Sequence, residues 1–162
     1  MAAIIVREAV GAEDIATVRT LLQAYGDYLA ANPRGAASIC IEGYGQELER
    51  LPEPYFALLL AEVDGVAAGC VALRRVRKDQ SGCEMKRLWV DGAFRGLRLG
   101  RRLVEEAVLW AKRQGLKTMY LDTVPLTMPE ANRLYAEMGF ERTERFNENP
   151  LPGVVFFRLS LD

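Results

Sequence analysis

The chain has 162 residues, 50% hydrophobic and 27% charged, which suits one domain with a buried core and excludes a disordered chain. Its 21 basic and 22 acidic side chains leave a net charge of −1, so no global field draws it to nucleic acid. It has no histidine, which excludes Ser–His and Cys–His nucleophiles, histidine metal ligands and an imidazole base.

Ile4-Ile5-Val6-Arg7 is β-prone and reads as the first strand. Ile15, Val18, Leu22, Tyr25 and Leu29 then step by three or four, as one face of a helix requires. Glu13 and Asp14 suit the positive end of its dipole, and Asn32-Pro33 ends it. Tyr44 to Leu51 reads as a short second helix, closed by Pro52 and Pro54. Tyr55 to Ala61 is a buried strand and the longest strictly apolar run, far too short to span a membrane. Asp64-Gly65 signals a hairpin, with Val66 to Leu73 as the return strand. Val76 to Gly82 reads as a polar loop and Cys83 to Val90 as the next strand. A regular pleat puts Glu84, Lys86, Leu88 and Val90 on one side of it, and Met85, Arg87 and Trp89 on the other.

Asp91 to Leu99 is a loop, and Gly100 to Gln114 a helix that buries Leu103, Val104, Ala107, Val108 and Ala111 and ends at Gly115. Thr118 to Val124 is a strand. Thr127-Met128-Pro129-Glu130 has capping-box spacing. The helix it opens buries Ala131, Leu134, Tyr135 and Met138 and stops at Gly139. Phe140 to Phe146 and Val154 to Leu161 are the last strands, joined through a stiff loop from Asn147 to Gly153. The order is β-α-α-β-β-β-α-β-α-β-β. It implies an α/β fold, a mixed sheet covered by helices, as a single domain over 1–162.

Cys40, Cys70 and Cys83 are odd in number and form no CxxC, which argues against a disulfide framework or a zinc site; no metal is expected. Cys70 lies in an apolar run and reads as an inert buried thiol. Met1 to Glu8 shows no basic segment followed by an apolar one, so the expected compartment is the cytoplasm.

Arg95-Gly96-Leu97-Arg98-Leu99-Gly100-Arg101 joins a strand to a helix. The first amides of a helix lack intrahelical partners and attract anions, and glycine lets backbone approach a ligand. Together with Arg102 this is a candidate phosphate or pyrophosphate site. It is neither a Walker loop, since no Gly-Lys pair occurs, nor a GxGxxG fingerprint. A basic, solvated helix start with no ligand has the same pattern. Nucleic-acid binding through these arginines fits poorly, because no aromatic residues interleave with them.

The stretch from Cys83 to Phe140 resembles the GNAT superfamily of N-acetyltransferases in four pieces: CEMKRLWV, DGAFRGLRLGRRLVEEA, MYLDTV and ANRLYAEMGF. The family consensus is Arg or Gln, two residues, Gly, one residue, then Gly or Ala. Arg95 and Gly100 match its ends, and Arg98 replaces the middle glycine, which serves if the backbone there does not need positive φ. NENPLPG resembles a subgroup of small bacterial members. The resemblance implies a GNAT-like acyl-CoA N-acyltransferase fold and transfer of acetyl from acetyl-CoA to a primary amine, by direct attack in a ternary complex. It assigns backbone pairing with the pantetheine arm to Leu88, Trp89 and Val90. The amides of Arg95, Gly96, Leu97, Arg98, Leu99, Gly100 and Arg101 would hold the pyrophosphate. Asn132 matches a cofactor contact and Tyr135 the general acid. Homodimers are frequent among similar proteins.

The residues can also be read directly. An amine of pKa about 10.4 must lose a proton before it attacks. Without histidine a carboxylate serves, directly or through water, and Glu84 is the candidate; a salt bridge with Lys86 is the alternative. A strand amide near Leu88 or Trp89 can meet the oxyanion, and the Tyr135 hydroxyl can protonate the leaving thiolate unless Tyr135 is only a core aromatic. Tyr25, Tyr28 and residues 37–45 are expected near the acceptor mouth, with Glu42 and Glu148 either attracting a cationic amine or being ordinary surface carboxylates. The loop with Asn149-Pro150 and Pro152-Gly153 is expected to wall the acceptor pocket. The function class that competes is a noncatalytic acyl-CoA-binding sensor or partner-binding subunit on the same fold, which needs only the phosphate loop.

Overall fold

The computed structural model describes residues 1–32, 43–126 and 128–162. Its elements follow the expected order: β1 (Ile4–Glu8), α1 (Gly11–Ala31), α2 (Tyr44–Arg50), β2 (Ala57–Val63), β3 (Val66–Val76), β4 (Asp79–Val90), α3 (Leu99–Arg113), β5 (Thr118–Thr123), α4 (Pro129–Glu137), β6 (Glu141–Thr143) and β7 (Val155–Ser160). A 3-10 turn over Gly92–Phe94 leads into α3. The strands form one seven-stranded sheet in the order β1-β2-β3-β4-β5-β7-β6. β4 and β5 pair in parallel, and the other neighbours are antiparallel.

Helices cover both faces. On one face Leu103, Val104, Ala107 and Ala111 of α3 pack on Leu59, Val71, Leu73, Met85 and Leu121. On the other, Val18, Leu22, Tyr25 and Leu29 of α1 and Leu48 of α2 pack on Leu58, Leu60, Cys70 and Ala72. β2 and β3 alternate between these layers residue by residue, as a pleat buried on both sides must. The β2–β3 turn has Asp64 at φ 50 and Gly65 at φ 82, the left-handed pair that suits a two-residue hairpin.

Both interior glycine caps form as the sequence suggests. After α3, Gly115 N–H donates to Lys112 O and Leu116 N–H to Ala111 O, at 3.0 and 3.1 Å. After α4, Gly139 N–H donates to Ala136 O and Phe140 N–H to Tyr135 O, at 3.1 and 3.0 Å. Each is a Schellman stop, with glycine supplying the left-handed residue.

Four expectations are corrected. The polar stretch from Val76 to Gly82 is a tight hairpin end: β3 runs to Val76 and β4 begins at Asp79. Arg77, Lys78 and Gln80 at its turn are exposed, so only Val76 carries an apolar signal there. The strand expected over Phe140 to Phe146 keeps only Glu141–Thr143, a short edge strand. The capping box gives way to Pro129 at the first turn of α4 with Met128 as cap, because proline lacks the N–H that position leaves unused; Thr127 lies outside the described residues. Finally, β4 is not a regular pleat. Cys70 faces Trp89 while Ala72 faces Lys86, so β4 takes three steps where β3 takes two. The extra residue is a β-bulge, with Arg87 at φ 60. Beyond it the faces exchange: Leu88 and Val90 join Met85 on the α3 side, while Trp89 turns to the α1 side.

The parallel pair then comes apart. β4 and β5 pair only at Gly82–Thr118, Cys83–Met119 and Glu84–Tyr120. After that β4 follows β3 to Val90, and β5 follows β7 to Thr123. A bulge bends its own strand, which accounts for the parting. The backbone groups that residues 85–90 turn toward β5 therefore meet no strand, and a cleft opens at the carboxyl ends of both strands, where open α/β sheets take their ligands.

Candidate functional site

A cavity of about 290 Å3 fills this cleft. Its apolar wall includes Met85, Leu88, Val124 and Tyr135, and its polar wall Tyr25, Arg74, Lys86 and Asp122. The loop from Asn147 to Leu151 closes one side.

Tyr135 projects from α4 and is buried. The Schellman stop holds it: its carbonyl accepts from Phe140 N–H, and its ring packs on Phe140 with centroids 5.8 Å apart. Burial pushes its hydroxyl well above the usual tyrosine range, so it is a proton donor throughout the neutral range. Asn132, one turn earlier, donates its side-chain amide to Thr123 Oγ1 at 3.0 Å and to Met128 O at 2.7 Å. It ties the start of α4 to the end of β5, so the pose the sequence assigns to a cofactor contact is held by bonds within the protein.

Glu84 does not stand where the sequence reading put it. The bulge places it on the opposite face from Leu88, and it is 2% exposed and absent from the cavity lining. Its Oε1 accepts from Arg74 Nε at 2.8 Å. Its Oε2 accepts from Asn147 Nδ2 at 2.9 Å and lies 3.7 Å from Lys86 Nζ. On the sheet, the carboxylate that reaches the cavity is Asp122. Its Oδ2 accepts from Asn147 Nδ2 at 2.7 Å and Asn149 Nδ2 at 3.1 Å, and its Oδ1 lies 3.7 Å from Lys86 Nζ. Burial alone would raise the Asp122 pKa, but Lys86 and the two amides outweigh it and hold the carboxyl below its usual range. Burial lowers Lys86 below the ordinary lysine value despite both carboxylates. Asp122 was legible in one respect, since it ends a strand at the carboxyl edge of the sheet.

Arg87, the bulge residue, donates Nε and Nη2 to Glu47 at 3.1 and 2.9 Å and lies over the Tyr44 ring, locking α2 to the bulge. Trp89 packs against Tyr25 and Tyr28 at 5.2 and 5.3 Å. Tyr25 thus meets the cavity and Tyr28 stays behind the indole, 45% exposed. Of the expected acceptor mouth, residues 37–42, with Cys40 and Glu42, lie outside the described residues. Glu148 lines the cavity.

The basic loop lies beyond β4. Phe94, Leu97 and Leu99 anchor it to Val63, Ala68 and Val90, while Arg95, Gly96 and Arg98 are exposed. Asp91 accepts from Ala93 N–H at 2.9 Å and sets the entry. Arg98 caps α3 at φ 57, so the condition set for an arginine here, a backbone without positive φ, is not met: the position takes the left-handed backbone that favours glycine, and arginine adopts it. The first bond into α3 from this cap is Arg102 N–H to Arg98 O, leaving the amides of Leu99, Gly100 and Arg101 without intrahelical partners. Arg101 pairs with Glu137 at 2.9 Å; among the described residues no carboxylate pairs with Arg95, Arg98 or Arg102. Anchored apolar residues, free amides and unpaired guanidinium groups make a loop fit for a diphosphate.

Among the described residues no group of His, Cys, Asp and Glu could hold a metal, and no helix is long and apolar enough to cross a membrane. An uncharacterized N-acetyltransferase of Schizosaccharomyces pombe is 41% identical over 109 residues, 67% of this chain and 66% of that one. The N-acetylaspartate synthetase of Danio rerio is 33% identical over 100 residues, 59% of this chain and 33% of that one. This chain therefore spans less than two thirds of the length of these relatives. A putative acetyltransferase of Salmonella typhimurium, solved with acetyl-CoA, shares the fold at a TM-score of 0.68 and 22% identity, covering 99% of this chain and 95% of that one. The Acetyltransferase (GNAT) family matches residues 21–140, most of the chain including β4, the basic loop, β5 and α4, and the chain belongs to that family.

Proposed function

We propose that this protein transfers the acetyl group of acetyl-CoA to a primary amine by direct attack in a ternary complex. The observation that carries the reading is the parting of β4 and β5 after Glu84–Tyr120, with buried Tyr135 on one wall of the cleft and a polar cavity on the other. The free edge of β4 at Leu88, Trp89 and Val90 is where the amides of a pantetheine arm would pair, as an added strand does. The loop from Arg95 to Arg101 would take the pyrophosphate on its amides. Asn132 would fix α4 against the cofactor.

The acceptor ammonium loses two protons. One leaves before attack, through a water to Asp122, whose Oδ1 is the less occupied oxygen. The amine then attacks the thioester carbonyl. A β4 amide meets the oxyanion, the C–N bond forms and the C–S bond breaks. Asp122 has by then passed the first proton to solvent, so the second leaves the nitrogen through the same water to Asp122, while the thiolate takes its proton from the Tyr135 hydroxyl, which is reprotonated from solvent as the products leave. Glu84 holds Arg74, Lys86 and Asn147 in place and acts through them. The zebrafish relative is named for N-acetylaspartate, which favours a small-molecule amine over a protein one. A single domain, a cytoplasmic setting and a homodimer are carried by the sequence and the family resemblance alone.

Calorimetric titration with acetyl-CoA, CoA and dephospho-CoA tests the cofactor assignment. Arg95→Ala should weaken acetyl-CoA binding about tenfold, the worth of one charge-assisted contact. In a thiol-release assay with an amine panel, Tyr135→Phe should lower kcat about 100-fold with little change in the KM for acetyl-CoA. No binding of any of the three ligands overturns the reading. Binding with no thiol release from any amine would favour the sensor.

A further inference from the structure

The polar wall of the cavity has an imbalance between donors and acceptors. Arg74 uses Nε on Glu84 Oε1, and among the described residues its Nη1 and Nη2 groups make no hydrogen bond. Lys86 Nζ sits 3.7 Å from both Glu84 Oε2 and Asp122 Oδ1, beyond hydrogen-bonding distance, on a side chain only 15% exposed. The carboxylates are better supplied. Arg74 and Asn147 donate to Glu84, and Asn147 and Asn149 donate to Asp122. The cavity thus presents cationic donors on side chains already committed to that wall, with no acceptor to match them. Keeping a desolvated ammonium this loosely bonded is costly unless something else completes it.

We propose that the acceptor is a small amine that also carries a carboxylate, an amino acid in class, and that Arg74 and Lys86 bind that carboxylate. The inference rests on the acetyl-transfer reading. A guanidinium edge presents paired donors that match the two oxygens of a carboxylate, and a neighbouring ammonium adds a point charge. A cavity of about 290 Å3 has room for such a molecule beside a thioester, and the loop carrying Asn147 and Asn149 closes over it. Glu148, which lines the cavity and has no ion-pair partner among the described residues, attracts the ammonium end as it enters. Burial lowers the Lys86 pKa, and an arriving carboxylate raises it again.

The test is a thiol-release assay with acetyl-CoA and matched acceptors: common amino acids, each beside the amine that lacks its α-carboxylate, with aminoalkylphosphonates as a third arm. The wild-type protein should acetylate at least one amino acid with kcat/KM about 100-fold above its decarboxylated partner, the scale of two charge-assisted contacts. Lys86→Met and Arg74→Met should each shrink that ratio about tenfold or more through the KM of the amino acid, and Lys86→Arg should restore part of it. A phosphonate that outperforms the carboxylate overturns the choice of anion. Equal rates on matched acceptors, or ratios unchanged in both variants, overturn the inference. Titration with acetyl-CoA separates the two levels. If acetyl-CoA does not bind, or binds with no thiol release from any amine, the acetyl-transfer reading fails; if it binds and only amines without a carboxylate are acetylated, this inference alone fails. Where a variant does not fold, the wild-type ratio decides.

Discussion

Arg98 holds φ 57 and ψ 34 at the start of α3, two residues after Gly96 at φ 87. A side chain in the left-handed region costs roughly 1–2 kcal/mol, because its Cβ crowds the following carbonyl. Arg98 is exposed and has no ion-pair partner among the described residues, so little in the folded chain offsets that cost. Arg98→Gly should therefore raise stability by about 1 kcal/mol, less the entropy a new glycine adds to the unfolded chain. A denaturant midpoint that falls instead would mean that the arginine side chain stabilises the loop. The unpartnered amides at the start of α3 remain in either variant. Burial also separates Glu84 from Asp122: Glu84 is buried and misses the cavity, while Asp122, partly buried, lines it.

At the scale of elements, the bulge in β4 decides the site. It turns Leu88 away from Glu84, presents Arg87 to Glu47 of α2, and starts the divergence from β5. Its geometry depends on Gly69 of β3, where an added Cβ would come within 2.7 Å of Trp89 O and 3.2 Å of Leu103 Cδ1. The first of these is backbone and cannot step aside. Gly69→Ala should cost about 1–3 kcal/mol, as overpacking does. It should also weaken acetyl-CoA binding, since the Trp89 backbone is part of the free strand edge. Equilibrium unfolding and titration on one preparation check both; an unaffected protein would show that the bulge tolerates a shift. The stop of α4 is the second deciding element. Gly139 was visible in the sequence as a cap, and what the fold adds is that this cap also pins Tyr135 at the cleft.

Across the whole molecule, two apolar layers hold the sheet, and the buried thiols and phenols within them make stability depend on alkali. Burial pushes Cys70, Cys83 and Tyr55 up to about 12. Each folded value is above the unfolded one, so the folded state holds protons that the unfolded chain gives up first. The contribution is present in full below about pH 9 and is lost as pH rises toward 12. Denaturant midpoints should hold through neutrality and fall across that window. In a Cys40→Ser chain, thiol reagents should label Cys70 and Cys83 only on unfolding, since a protonated buried thiol is inert. A midpoint that stays level to pH 11 would place these groups in wetter surroundings.

Features bound to local chemistry could be read from the chain alone. Periodicity located α1 and α3, Asp64-Gly65 the hairpin, and Gly115 and Gly139 the helix stops. Each is decided within a few residues by backbone sterics, solvation or local hydrogen bonding. The side of β4 on which Leu88 lies is not, because a bulge exists only as a mismatch in length between two paired strands. Nor is the choice among Glu84, Asp122, Arg74 and Lys86. Their roles depend on which groups meet across β3, β4, β5 and the loop from Asn147 to Leu151, and on which donors remain unspent once they have met. The absence of histidine limited the chemistry to carboxylates, tyrosine and lysine. Where each of these stands in the cleft follows from long-range pairing, which a one-dimensional pattern does not contain.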